Sequence, residues 1–264
     1  MERYIFLPEV DSTNAYAKSL WAGGGQAEAD SADGVISDDG PVEFVPANDF
    51  LGDTLTVIRA GRQTHGRGRD GNDFFSNIEG GLWVSIIAPV TDISAHFEHN
   101  RAISLAILET LKSHGGGGKV SIKWPNDIYW KDRKIAGVLL ENVPGNDNVL
   151  IIGFGVNVNV DIGRFPKNLR DSVTSVLDET GEALFLDSTL DSIVETYRKL
   201  ISGDQTAVHQ LYLENLYRRG QRAAVGGLEG KFVTVEPDGR LRLETERGEE
   251  LCCSGPLRFL GGDE

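Results

Sequence analysis

The sequence predicts an α+β protein: a mixed β-sheet with helices packed against it, followed by a small C-terminal β-barrel. Three observations lead there. Strand-like apolar runs at residues 54–60, 80–89, 120–127 and 149–160 alternate with segments of helical spacing at 102–111 and 187–218. After Gly220 the pattern changes to short strands separated by turn residues, with Pro237-Asp238-Gly239 the strongest turn signal. That tail is too short for a large core of its own, and a small barrel fits it.

Taken in order, residues 3–7 form a strand candidate, and Asp11-Ser12-Thr13-Asn14 reads as a turn and N-cap for the helix that follows. Residues 22–53 are rich in Gly, Asp, Glu and Ala with few apolar anchors, the composition of a long, mobile acidic loop. The strand at 54–60 runs into a Gly/Arg stretch, and the next strand ends at Pro89. The helix at 102–111 stops at His114 and the glycines that follow. Residues 120–127 read as a strand ending in a turn, and residues 128–141 as a hairpin with Lys131-Asp132-Arg133 at its tip. Leu190, Ile193, Val194 and Tyr197 share one face of the helical stretch that begins near 187.

Composition bounds the function. The 264 residues carry a formal net charge of -14 and a pI near 4.8, which argues against a general nucleic-acid binder. The only cysteines, Cys252 and Cys253, are adjacent and form neither a disulfide framework nor a metal pair. The first residues lack the basic-then-apolar pattern of a signal peptide, and no apolar run is long enough to cross a bilayer. The expected class is a cytoplasmic enzyme without nucleic-acid or membrane partners. An edge strand able to pair with a second copy leaves a homodimer open.

The most informative stretch is Gly61-Arg62-Gln63-Thr64-His65-Gly66-Arg67-Gly68-Arg69. Glycines let its backbone fold closely around a ligand, while Arg67 and Arg69 supply planar cations that suit a carboxylate or phosphate. It is neither a Walker loop nor a dinucleotide fingerprint. Taken alone, it is equally compatible with a solvated surface loop.

Several segments together resemble one family, the biotin–protein ligases. They are Ser12-Thr13-Asn14, the stretch from Gln63 to Arg69, Gly81-Leu82-Trp83-Val84-Ser85, Lys123-Trp124-Pro125-Asn126-Asp127, Arg133 through Glu141, and Gly153-Phe154-Gly155-Val156-Asn157-Val158-Asn159. They occur in the family's order. The resemblance implies a fold of the class II synthetase-like, biotin–lipoate ligase type with an SH3-like C-terminal barrel. It also implies a catalytic domain at 1–216 and a small domain at 217–264, as in single-function ligases without a DNA-binding domain. Two departures stand out: Asp70, Gly71, Asn72 and Phe74 replace a more basic run ending in tryptophan, and the 22–53 insertion is long.

By the same resemblance, the reaction is adenylation of biotin by ATP with Mg²⁺, then transfer to a lysine of a biotin carboxyl carrier protein domain. Carboxylate and triphosphate repel, so cations must bring them together. Arg67, Arg69 and Lys134 are those implied, with Lys134 on the carboxylate and α-phosphate. Ser12, Thr13, Asn14, Gln63, Gly66 and Gly137 are implied around biotin, beside Arg67 and Lys134. Lys123, Asn126 and Asn157 are implied around ATP with Arg67 and Arg69, and Asp127 around Mg²⁺. Simpler roles stay open at several of these positions: helix capping at 12–14, turn formation at 126–127, and core packing for Trp83 and Trp124. The competing functions are a lipoate- or octanoate-type acyl-adenylating ligase and a non-catalytic biotin- or nucleotide-binding protein.

Overall fold

The computed structural model describes residues 2–22, 36–37, 40–41, 55–92 and 95–261. In chain order the elements are β1 (Glu2–Val10), α1 (Thr13–Ala22), a two-residue ribbon of β2 (Ile36–Ser37) and β3 (Gly40–Pro41), β4 (Leu55–Gln63), β5 (Leu82–Pro89), α2 (His96–Leu111), β6 (Val120–Lys123), β7 (Asp127–Trp130), β8 (Arg133–Val143) and β9 (Asn146–Val156). There follow α3 (Val176–Thr180), α4 (Leu186–Ile201), α5 (Gln205–Glu214), β10 (Arg222–Val225), β11 (Leu228–Val235), β12 (Leu241–Thr245), β13 (Gly248–Cys252) and β14 (Arg258–Phe259). Apart from the ribbon, the acidic loop expected at 22–53 lies almost wholly outside the described residues.

The chain divides into two compact units, Met1–His96 with Ile135–Leu190, and Phe97–Lys134 with Asp191–Glu264. This division does not follow a boundary at 216/217. The reason is local: Ile122 N–H donates to Asn215 O and Tyr217 N–H to Ile122 O, both at 2.8 Å, so the segment after α5 is laced to β6.

In the first unit the strand order is β1-β4-β5-β9-β8. β1 runs parallel to β4, with Glu2 opposite Leu55 and Val10 opposite Gln63, and the remaining neighbours are antiparallel. Parallel pairing of β1 and β4 requires a crossover, and α1 lies in it. Helix α1 lays Ala17, with Tyr16, Leu20 and Trp21, against Ile5, Leu7, Ile58, Ile87 and Ile151. β5 is buried along nearly its whole length, which is why it reads as a continuous apolar run rather than an alternating one. A second cluster gathers Ala60, Ile78, Trp83, Val160 and Phe165, with Phe74 against it.

In the second unit, α2 begins six residues before its apolar stripe. Its first turns are buried through polar partners: His99 Nδ1 lies 2.7 Å from Tyr197 Oη, and Arg101 donates to Gln205 Oε1 at 3.0 Å. Strands β6 and β7 pair antiparallel. The C-terminal strands form the expected small antiparallel sheet, in the order β13-β12-β11-β10-β14. Its Pro237-Asp238-Gly239 turn places Gly239 at φ +93 against Phe97, and Trp124 Nε1 donates to Gly239 O at 2.8 Å. Among the described residues no helix is long and apolar enough to cross a membrane.

Candidate active site

The first turn of α1 is polar and buried. Ser12, Thr13 and Asn14 are each under 5 % exposed, so they do more than cap the helix. Thr13 N–H donates to Gln63 Oε1 at 2.8 Å, and Thr13 Oγ1 lies 3.1 Å from the same oxygen. Gln63 Nε2 donates to Ser76 Oγ at 2.9 Å. Ser85 Oγ, in the middle of β5, sits 2.7 Å from Thr13 Oγ1 and 2.5 Å from Asn14 Oδ1. Asn14 Nδ2 donates to Glu141 Oε2 at 2.8 Å, and Lys18 Nζ to Glu141 Oε1 at 2.5 Å. A continuous polar row therefore crosses the sheet from β8 to β4.

The Gly/Arg stretch follows from β4. Gly66 has no room for a side chain: a Cβ there would lie 2.1 Å from Ser76 Oγ and 2.4 Å from Phe74 O. Phe74 N–H donates to Gly66 O at 2.9 Å, and Gly68 N–H to Asn72 O at 2.7 Å, so the loop closes as a short ribbon. Arg69 opens a 3₁₀ turn, Arg69–Gly71. His65, Arg67, Arg69, Asp73, Leu139 and Glu141 line a cleft of about 620 Å³. Burial pushes the Glu141 carboxyl up, but hydrogen bonds from Lys18 and Asn14 and the charges of Lys18 and Arg67 outweigh it and hold it below its ordinary range. Burial and the Arg69 charge push His96 down, favouring its neutral form. Phe74 meets Trp83 edge-on at 5.9 Å and covers Gly155, where a Cβ would fall 2.4 Å from its ring.

Gly137 stands opposite Gly155 across β8 and β9. Asn157, just beyond β9, is 4 % exposed. Its Nδ2 donates to Thr174 O at 3.0 Å, while its Oδ1 is buried with no hydrogen-bond partner among the described residues. An orphaned acceptor of this kind is costly unless a ligand or water meets it.

The first unit thus holds Ser12, Thr13, Asn14, Gln63, Gly66, Arg67, Arg69, Gly137 and Asn157, and the second unit holds Lys123, Asn126, Asp127 and Lys134. Lys134 Nζ pairs with Asp127 Oδ1 at 2.7 Å. Asn126 lies in the turn between β6 and β7. Lys123 Nζ donates to Tyr129 Oη at 3.2 Å, and burial, with Arg218 nearby, lowers its pKa despite the opposing pull of Asp127. No group of three or more metal-binding side chains occurs among the described residues.

Sequence reasoning missed Glu141, Ser85, Ser76 and Gly153 as participants. Glu141, Ser85 and Gly153 lie inside segments that carried the family resemblance, but nothing local marks which residue of a strand faces Asn14.

Residues 51–159 match the model of the Biotin/lipoate A/B protein ligase family. Relatives carry the finer names. A bifunctional ligase/repressor BirA of Bacillus subtilis is 29% identical over 215 residues, covering 77% of this chain and 66% of that protein, so the chain spans just under two thirds of its length. A biotin–[acetyl-CoA-carboxylase] ligase of Paracoccus denitrificans is 25% identical over 218 residues, covering 78% of this chain and 90% of the relative. The biotin protein ligase from Aquifex aeolicus, solved in complex with biotin and ATP, superposes with a TM-score of 0.72 at 26% identity, covering 98% of this chain and 99% of that one.

Proposed function

We propose that this chain activates the carboxylate of biotin with ATP, forming biotinyl-5′-AMP, and passes the acyl group to a lysine of a biotin carboxyl carrier domain. The observation that carries the reading is the buried row Thr13–Asn14–Gln63–Ser85, joined through Glu141 to a cleft lined by Arg67 and Arg69. A largely apolar ligand with one polar ring and one carboxylate needs this combination: a few fixed donors and acceptors at one end and cations at the other. The match to solved ligases with biotin and ATP bound supports the same reading.

Each group then has a role. Ser12, Thr13, Asn14 and Gln63 orient the ureido ring, with Gly66 and Gly137 leaving space beside it. Arg67 and Arg69 neutralise the carboxylate and phosphate so that the two anions approach, and Lys134 stabilises charge on the α-phosphate. Lys123, whose ammonium is disfavoured by burial, gains from a phosphate partner. The orphaned Asn157 Oδ1 suits an N–H donor such as the amino group of adenine. Magnesium is held by few protein ligands and by substrate phosphates, which a single carboxylate at Asp127 beside Asn126 fits; it supplies charge neutralisation on the polyphosphate. Loop closure over the mixed anhydride excludes water until the carrier lysine attacks. The reading places the protein in the cytoplasm, consistent with Cys252 and Cys253 as free thiols, and allows a homodimer.

Calorimetry with biotin and then ATP·Mg²⁺, followed by mass analysis of a carrier domain, tests it. Expected are biotin binding, pyrophosphate release and a mass gain of one biotinyl group. Preferential use of lipoate, or binding without transfer, overturns it.

A further inference from the structure

We propose that Glu141 is a positioning residue that sets the direction of the hydrogen bonds linking Asn14, Ser85 and the Thr13 hydroxyl, and so fixes what that hydroxyl offers to biotin. The inference rests on the reading of that row as the ring-contacting one.

A carboxylate only accepts hydrogen bonds. Glu141 takes one from Lys18 and one from Asn14 Nδ2. Turning the Asn14 amide over would set two oxygens against each other, so Asn14 Oδ1 is committed to face Ser85, 2.5 Å away. Ser85 has one hydroxyl hydrogen, and this shortest contact takes it. The 2.7 Å contact between Ser85 Oγ and Thr13 Oγ1 must then be bridged by the hydrogen of Thr13. In the reverse order the Thr13 hydrogen would go instead to Gln63 Oε1, 3.1 Å away. Gln63 itself is oriented by the Thr13 backbone N–H, which donates to Oε1 at 2.8 Å and leaves Nε2 to Ser76 Oγ at 2.9 Å. Ser76 passes its own hydrogen to Phe74 O at 3.1 Å, at the base of the Gly/Arg loop.

Thr13, Asn14, Gln63, Ser76 and Ser85 are all buried, so bulk water cannot repair a reversed order. Among the described residues Glu141 is the one charged side chain that hydrogen-bonds to the row. Set this way, Thr13 Oγ1 keeps a lone pair and Gln63 Nε2 a second hydrogen, a match to a ureido ring with both N–H and C=O. Without the charge, only the long 3.4 Å contact of Asn14 Nδ2 with Leu139 O opposes turning the amide, and the Asn14–Ser85–Thr13 part of the row presents a mixture.

Glu141→Gln keeps the shape and removes the charge. Biotin KM is expected to rise about tenfold, with kcat at saturating biotin within about twofold, because uniform binding is lost and not transition-state binding. Ser85→Ala cuts the row, so Glu141→Gln placed on top of it changes KM by less than about twofold. Lys18→Met leaves the carboxylate and its bond to Asn14, so biotin KM stays within about twofold even where stability falls. An unchanged KM in Glu141→Gln, an equal effect of that change with and without Ser85, or a tenfold rise in Lys18→Met overturns the proposal. A parent chain that binds no biotin overturns the proposed function itself, a result distinct from normal parent binding with an indifferent Glu141.

Discussion

Asn14 lies flat across Gly153: a Cβ at position 153 would fall 2.3 Å from Asn14 Oδ1 and 2.7 Å from its Nδ2. The glycine, within the buried stretch of β9, is there for steric room. Gly153→Ala must push Asn14 away from both Ser85 and Glu141. Overpacking of this kind destabilises by about 1–3 kcal/mol. Urea unfolding is expected to show that loss together with weaker biotin binding; an alanine variant equal to the parent in both would mean the Asn14 amide is not held in place.

Acid sensitivity follows from Glu141. Its folded pKa lies below the ordinary 4.5 because Lys18, Asn14 and Arg67 outweigh its burial. A carboxyl shifted this way binds fewer protons folded than unfolded, so its stabilisation is present above the ordinary value and lost as the pH falls through the folded one. Unfolding free energy is expected to decline on acidification below about pH 4.5 and to decline less steeply in Lys18→Met. Comparing the two proteins isolates Glu141 from Asp132 and Asp238, whose carboxyls are also held low. Parallel pH curves for parent and variant would count against the coupling.

Lys134→Ala is expected to lower pyrophosphate release at least about a hundredfold, the usual effect of removing one preorganised donor from a transition state. The fold should persist, since the Lys134–Asp127 pair is partly exposed and such pairs contribute little. A circular dichroism spectrum like the parent's and near-normal adenylation together would remove Lys134 from the mechanism.

Arg69→Gly is expected to loosen closure of the loop over the adenylate. Arg69 lines the cleft from the start of its 3₁₀ turn, where a glycine supplies neither charge nor backbone restraint. The intermediate should escape and label bystander proteins, read by avidin blotting with albumin present. Labelling confined to the carrier domain would show that closure does not depend on Arg69.

Asn157→Ala is expected to raise ATP KM about tenfold while leaving biotin binding within about twofold, because it removes the buried, unpartnered acceptor proposed to meet the nucleotide. Equal ATP affinity in parent and variant would leave the orphaned Oδ1 without a ligand role.

Much of the architecture was legible in the sequence because burial pattern is a local property. β5 reads as apolar apart from Ser85 since both its faces are covered, and Pro237-Asp238-Gly239 announces a turn whatever lies around it. The start of α2 was not legible. His99 and Arg101 are buried by partners a hundred residues away, and apolar spacing carries no trace of them. The change in strand pattern after residue 217 is likewise visible along the chain, but the bonds from Ile122 to Asn215 and Tyr217 are not.

The candidate site divides along the same line. The sequence by itself determined the residue types that the chemistry needs: glycines with Arg67 and Arg69, the polar start of α1, and Lys134 after a turn. Their spacing is short and their chemistry local. Tertiary structure alone decided that Asn14 would meet Ser85, Glu141 and Gly153, because strand order and register, fixed by packing across the whole sheet, bring those side chains together. It thereby drew Thr13 and Asn14 of a helix-capping triplet into the middle of a buried polar row that ends on the negative charge of Glu141.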